Sequence, residues 1–309
     1  MAVTTDPFIA ADIAATLPEI WSPIVEQEFF DVACLSNFFL DLSEYMSEGG
    51  DICHIPDVYT NDFTVQTQST QGAEVTTEGP AQVDTTITVN THKYIAMIIG
   101  DKDMKQIASK YNINEIYGKK IAGQLVDALE ASLAALWSSL TTNTQGNTSD
   151  VLTDYDIRYA MEKVFVHTKG VEFQKTAWFF HPFVWWMQVL GVSKYYDAYK
   201  AGNPGSMVID GNFGPMNASR GLVGALYGRP AYITSNVVGA LQTYRNIFAH
   251  PHAIGYAVQG GAGKGVRIQA SYELRNIGTL TVGDIRYGVG AVRESVGAAV
   301  SASSTAVTS

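Results

Sequence analysis

The chain has 309 residues, 46% apolar and 16% charged, enough to bury a large core and, by the usual length of a domain, to form roughly two domains. Its 28 glycines and 10 prolines follow no triplet period, and no apolar run reaches the roughly 18 residues that a membrane-spanning helix needs. These counts exclude a fibrous chain, a wholly disordered one and a helix-spanned membrane protein. The net charge of −10 is unevenly spread: residues 1–92 hold fifteen Asp and Glu with no Lys or Arg, whereas 93–309 hold fifteen acids and twenty bases. The first third therefore repels copies of itself and is attracted to the body of its own or another copy, and it is unsuited to gripping nucleic-acid phosphates. The plainer alternative is that these acids serve only to keep the segment soluble. With Lys93 the first base, the amino terminus lacks the positive region of a secretory signal or mitochondrial presequence, so synthesis and residence in a cytoplasm are expected. Cys34 and Cys53, without CxxC spacing, read as two reduced thiols.

In chain order, residues 1–17 are small and polar and read as a loose arm. Ile20, Trp21, Ile24, Val25 and Phe29 then recur at three- and four-residue steps around Pro23, the pattern of an amphipathic helix. A second apolar cluster over 38–42 meets the turn signal Glu48, Gly49, Gly50, Asp51, after which a strand begins. From 52 to 99 the composition is that of β-structure, with Phe63, Val65 and Thr67, and later Val83, Thr85, Ile87, Val89 and Thr91, alternating with polar residues. The pattern predicts a long hairpin whose outer half has too few apolar side chains for a core of its own. A two-stranded ribbon is marginal in water, so it needs another surface beneath it, such as one from another subunit.

After Gly100 the period turns helical. Asn112 with Glu115 fits an N-cap and its capping-box partner, and Ile116, Ile121, Leu125, Leu129, Leu133 and Leu136 form one stripe of a single long helix reaching Leu140. The polar stretch 141–150 ends it and marks a domain boundary. Beyond lie a helix over 153–168, a buried strand over 176–180 and a helix over 182–190 closed by Gly191, which together make a compact α/β unit. The Gly-, Asn- and Pro-rich segment 200–221 reads as a long loop. Strands are expected at 222–227, 231–234, 245–249, 266–272 and 284–287, and the small, low-complexity stretch 297–309 reads as a frayed end.

No constellation argues for catalysis, a cofactor or a metal. His250, Pro251 and His252 have a metal-like spacing, yet no Cys or acid lies near them in sequence, and a strand ending at Ala249 before a helical turn explains them. Cys53 and His54 suggest a nucleophile and base, but adjacent strand residues face opposite sides. The glycines of 261–265 fail the phosphate-loop pattern, since Val258 stands where its first Gly is needed and Gly265 where Ser or Thr is needed. Asn147 and Asn217 satisfy the glycosylation pattern only by coincidence in a cytoplasmic protein. The aromatic cluster Trp178, Phe179, Phe180, Phe183, Trp185 and Trp186 lacks neighbouring bases and reads as core rather than as a stacking platform.

The order of these parts resembles the HK97-fold major capsid proteins of tailed double-stranded DNA bacteriophages over nearly the whole chain: an acidic arm, a hairpin ending in Tyr94-Ile95-Ala96-Met97-Ile98-Ile99, a long helix, an α/β unit and a return strand. The segments 221–232, from Gly221-Leu222-Val223-Gly224 to Pro230-Ala231-Tyr232, and 246–254, with His250-Pro251-His252, are similar to that family's strand-to-strand turn and its strand with a following short helix. The resemblance implies an α+β HK97-like fold with an N-terminal arm (1–51), an extended E-loop hairpin (52–99), a spine helix in a P-domain (100–150), an α/β A-domain (151–260), and a return to the P-domain with a C-terminal tail (261–309). It further implies a non-enzymatic structural protein that assembles with itself into pentamers and hexamers of an icosahedral shell around double-stranded DNA, bound without sequence specificity. A separate scaffolding protein, a portal and a possible cement protein are the implied partners, and a virion capsid formed in a host bacterial cytoplasm the implied location. Trp21, Phe29, Phe63, Val65, Val75, Val83 and Ile87 are the expected inter-subunit contacts. Some members cross-link an E-loop lysine to a neighbour, but here Lys93 is the first lysine and stands at the loop's base, so covalent chain-mail is not expected. An encapsulin nanocompartment shell of the same fold is the nearest alternative, and an intracellular hydrolase using Cys53 or His250 the remote one.

Overall fold

In a computed structural model of the chain, the described residues are 33–46, 49–57, 63–68, 71–72, 74–79, 83–102, 113–147, 149–170, 172–192, 222–237, 239–240, 243–260 and 265–304. The helix expected around Trp21 and Phe29, the Asn112 cap, the side chain of Glu115 and the whole 200–221 segment lie outside them. A short helix, Leu35–Phe38, precedes strands β1 (Leu40–Asp41), β2 (Ile52–Asp57), β3 (Val83–Thr88) and β4 (Thr91–Gly100). The long helix Ile113–Ala135 is followed by β5 (Thr144–Gln145), the helix Asp154–Thr168 and β6 (Ala177–Phe180). Then come β7 (Leu222–Leu226), β8 (Arg229–Ile233), β9 (Gly239–Ala240), β10 (Thr243–Ala249), β11 (Ile254–Gln259), β12 (Arg267–Glu273), β13 (Gly278–Ala291) and β14 (Gly297–Ser303).

These strands make two main sheets. One has five strands, ordered β1-β11-β13-β12 with β4 also on β13; the other has seven, ordered β5-β14-β10-β6-β8-β7 with β9 on β10. The chain passes between them more often than a linear division at residues 150 and 260 anticipates. β5 and β14 belong to the seven-stranded sheet, while β11 leaves it for the five-stranded one.

The long helix forms where the apolar stripe predicts, and its 23 residues span about 35 Å at a rise of about 1.5 Å each. Ile121, Leu125, Leu129 and Leu133 are each at most 4% exposed, whereas Ile116 is 39% exposed. Steps of four residues drift about 40° each around a helix of 3.6 residues per turn, so a stripe of this length leaves the core at its ends. The helix sits close to β13 because a Cβ at Gly283 would collide with Ile121. Ser132 Oγ and the Tyr287 hydroxyl, 2.7 Å apart, add a polar tie between helix and strand.

A second core lies between the helix Asp154–Thr168 and the seven-stranded sheet. Thr153 caps that helix with a full capping box, and Lys169 closes it in the left-handed conformation before Gly170. Trp178, Phe180 and Phe248 are fully buried there, with Trp178 stacked on Phe180 at 5.2 Å between ring centroids. The aromatic cluster is therefore core, apart from Trp186, which is 57% exposed. The 182–190 helix is present as a π-helical segment, Val184–Val189. Its buried Gln188 accepts from the Leu152 amide and donates to the Ser303 carbonyl.

The stretch read as a frayed end is instead β14, paired along its length with β10 and buried in the seven-stranded sheet. Its small residues are a packing requirement rather than a sign of disorder: Ala298 and Ala299 stand opposite Phe248 and Ile247, whose side chains take up the volume. The strand–turn–strand at 221–232 is present as β7 and β8, joined by Tyr227 and Gly228, both at positive φ, as a tight two-residue hairpin turn requires.

The expected 52–99 hairpin is shorter and differently shared. β2 pairs with β3 from Ile52↔Thr88 to Asp57↔Val83, but β4 is a member of the five-stranded sheet, paired over its whole length with β13. The alternation runs through 83–91, but the strand itself ends at Thr88, and the Val89 amide donates to the Asp51 carbonyl. Residues 63–68 and 74–79 adopt no strand and are exposed throughout.

Candidate assembly surface

The root of the projecting loop is built by glycines. A Cβ at Gly288 would collide with the Thr88 carbonyl, and one at Gly255 would meet Ile87 and Val292. Bare backbone at these positions lets β3 cross β13 closely and opens a seat that Ile87 fills. Ile87 is 1% exposed and clusters with Leu42, Met46 and Ala257. It therefore does not face outward as expected of an inter-subunit contact: it anchors the loop to its own subunit. Strand alternation placed it correctly on the face of Thr85 and Val89, but the sequence did not reveal that this face is covered from below.

Beyond the root, Phe63, Val65, Val75 and Val83 are exposed by 65%, 94%, 74% and 47%. Glu78 ties the two outer runs together, accepting from the Thr64 amide at 2.8 Å and from Gln66 Nε2 at 3.2 Å. The Thr64 amide, reinforced by its side chain, holds the Glu78 carboxyl below the usual range. Three large apolar side chains thus stand in water on a segment whose described residues are tied by polar contacts, an arrangement that stabilises an isolated chain very little. Trp21 and Phe29 lie outside the described residues.

Further exposed apolar side chains, not read from the sequence, lie on both faces of the five-stranded sheet, Tyr94 and Ile98 on one by their register with β13 and Tyr272 on the other. Tyr94 and Ile98 on β4, Tyr272 on β12, and Leu274 and Ile277 at the β12–β13 turn are exposed by 68%, 42%, 52%, 81% and 63%. Ile277 has φ +45, a conformation that a β-branched residue rarely adopts. Two bulky apolar residues in a tight turn were the available signal. The opposite end of the β12–β13 pair is clasped by Asp284 on β13, which accepts from Arg267 Nε and Nη2 at 2.9 and 3.0 Å and lies 3.0 Å from His92 Nε2.

The Arg267 hydrogen bonds, with a smaller contribution from His92, hold the Asp284 carboxyl below its ordinary value against the opposing effect of burial. A depressed folded-state value gives stability that is complete above the unfolded carboxylate value of about 3.9 and is lost as pH falls through the lower folded one. Asp284→Asn is therefore expected to melt lower at pH 7 and to lose less on acidification below about pH 4, as thermal melts over a pH series would record.

The residues considered for chemistry have other employment. Cys53 and His54 point to opposite faces of β2, and His54 Nδ1 lies 2.5 Å from Asp84 Oδ2 across the pair. His250 caps the turn Pro251–Ala253 after β10, as the alternative to metal binding required. Folding brings Glu172 to 3.4 Å from His250 Nε2, yet among the described residues no three His, Cys, Asp or Glu are grouped to hold a metal ion. Gly265 takes positive φ at the turn before β12. Among the described residues no helix is long and apolar enough to cross a membrane.

No protein-family sequence model matches the chain, and no curated protein matches it in sequence. Solved structures do match it in shape. A structure from bacteriophage PhiM1, its mature capsid, is 17% identical with a TM-score of 0.69, covering 92% of this chain and 91% of that one. One from Mycobacterium phage Che8 is 18% identical with a TM-score of 0.65, covering 92% and 96%. The holo-SrpI encapsulin complex from Synechococcus elongatus is 9% identical with a TM-score of 0.63, covering 96% of each chain. The chain has the HK97-like fold of phage capsid proteins.

Proposed function

We propose that this protein is the major capsid protein of a tailed bacteriophage, closing an icosahedral shell of pentamers and hexamers around double-stranded DNA. The observation that carries this reading is the loop at 63–79: its root is fixed by Ile87, while Phe63, Val65 and Val75 remain uncovered. Side chains of this kind gain roughly 1.5–3 kcal/mol each on full burial, and a neighbouring copy supplies the surface. On this reading the N-terminal arm is 1–51, the E-loop 52–99, the P-domain with its spine helix 100–150 and the A-domain 151–260, with 261–309 returning toward the P-domain. Phe63, Val65, Val75 and Val83, together with Trp21 and Phe29, contact neighbours; Tyr94, Tyr272, Leu274 and Ile277 extend that surface. Scaffolding and portal proteins, and in some particles a cement protein, are the further partners, in a virion formed in a bacterial cytoplasm. The protein meets DNA as a wall rather than as a reader of sequence.

The likeness to an encapsulin favours a second reading, a nanocompartment shell enclosing enzymes. Electron microscopy of the purified protein, with analysis of what its particles contain, separates the two. Closed shells holding a genome are expected; shells holding a packaged enzyme support the second reading, and a protein that stays monomeric at high concentration contradicts both.

A further inference from the structure

The strand β12 lies at an edge of the five-stranded sheet, and among the described residues it pairs with β13 alone. Its register with β13 is unbroken over all seven residues, from Arg267↔Asp284 to Glu273↔Gly278, and six of the seven are exposed. Successive residues of a strand turn their backbone groups to alternate sides, so three or four of these seven aim N–H and C=O away from β13. Folded proteins guard such an edge with lysine, proline, a bulge or a covering segment. β12 contains no Lys, no Pro and no bulge.

The order of its residues is self-complementary. Laid antiparallel to itself about a two-fold axis at Ala270, the strand sets Arg267 opposite Glu273, Ile268 opposite Tyr272 and Gln269 opposite Ser271. Directly opposed side chains share a face, so every pair is matched: opposite charges at both ends, an amide with a hydroxyl, a β-branched residue with an aromatic one. Ile268 and Tyr272, 42% and 52% exposed, cover one another in this register. Each pair joins two residues of the same parity, so whichever alternate set of backbone groups points outward meets the same set across the axis. Asp284 holds Arg267 on its face through Nε and Nη2, and Nη1 remains to donate to a second carboxylate. β4, on the opposite side of β13, has Lys93 and no acid in its ten residues, so it has no charge-matched register with itself.

We propose that β12 pairs with the β12 of a second copy, antiparallel and centred on Ala270, joining two five-stranded sheets into one across a two-fold axis. The inference rests on the shell reading above and adds to it a contact made by neither the projecting loop nor the arm. Any strand can add to an open edge; the match between the two halves of this one singles out its own copy.

The test is oxidation of an Ala270→Cys variant with copper phenanthroline at a concentration where copies associate, read on a non-reducing gel, beside amide exchange of the unaltered protein. Opposed Cα atoms in an antiparallel ladder lie about 4.5–5.5 Å apart, within the span of a disulfide, so most Ala270→Cys chains are expected to run as covalent dimers. Gln269→Cys stands diagonal to its own copy, roughly 7–8 Å away, and is expected to stay monomeric until mixed with Ser271→Cys. The parent, whose cysteines are Cys34 and Cys53, is expected to stay monomeric as well. Amides of 267–273 in the unaltered protein, which no substitution can perturb, are expected to exchange about tenfold or more slowly on association. Unchanged exchange at 267–273 overturns the inference, since any dimers then report collision. Slowed exchange without an Ala270→Cys dimer also overturns it, because another segment then covers the edge, and equal cross-linking of Gln269→Cys alone overturns the register. Shell formation by the unaltered protein is scored apart: shells without the cross-link refute this contact alone, and absence of shells refutes the capsid reading while the cross-link still decides the contact.

Discussion

Replacing residues 59–81 by a two-residue Asn-Gly turn is expected to give a folded subunit that no longer forms shells. The replacement keeps β2 and β3 in register, with Asp57 opposite Val83, and keeps Ile87 in its seat among Leu42, Met46 and Ala257. What it removes includes Phe63, Val65 and Val75, all more than half exposed, so the isolated subunit loses almost no buried surface. Shortening the loop also lowers its closure entropy slightly. The melting temperature should therefore stay within about 2 °C, since 1 kcal/mol shifts a chain of this size by roughly that much. Association loses several kcal/mol per subunit at the area coefficient for apolar burial. Intact particles from this variant would remove the loop's role. The boundary matters: a deletion reaching Val89 would also take β3 and Ile87, and its failure would report on folding instead.

Glu130→Ala is expected to cost about 3 kcal/mol of stability, because a fully buried carboxylate is the partner of two buried amides. Glu130 Oε2 accepts from the Leu35 amide at 2.8 Å and Oε1 from the Ser36 amide at 2.9 Å, and its own exposure is 0%. The carboxylate thus holds the short helix Leu35–Phe38 against the long helix, where Leu35 and Phe39 join the core around Leu129, Leu133 and Trp137. Alanine would leave both amides unpaired and a void between the helices. A fall in melting temperature of roughly 5–10 °C is expected, with Glu130→Gln intermediate because its remaining oxygen still accepts one of the two bonds. A Glu130→Ala variant that melts within about 1 °C of the parent would show that the short helix is held by its apolar contacts alone.

How far the sequence disclosed this structure depended on whether the deciding contact was local. The long helix was legible because four leucine or isoleucine positions repeat on one face, and the helix Asp154–Thr168 because the glycine that follows it lies within two residues of its end. The seven-stranded sheet's last strand was not: Gly297, Ala298, Ala299 and Ala302 look featureless until Ala249, Phe248, Ile247 and Tyr244 stand opposite them. The same limit governed the projecting loop. Alternation marked Val83 and Ile87 alike, yet Val83 is 47% exposed and Ile87 1%, a difference made by Gly255 and Gly288, 168 and 201 residues further along the chain. The approach of Glu172 to His250 was invisible for that reason too, since the two are brought together only by folding. Charge asymmetry and the missing support beneath the hairpin, by contrast, are properties of composition, and they pointed to association before any fold was in hand.

Hydrogen–deuterium exchange of the dissociated subunit and of the assembled particle tests most directly whether copies of the chain cover one another's loops. Amides of residues 63–79 should exchange at nearly unprotected rates in the subunit and slow markedly in the particle, while those of β13 stay protected in both. Equal, rapid exchange of 63–79 in both states would contradict it.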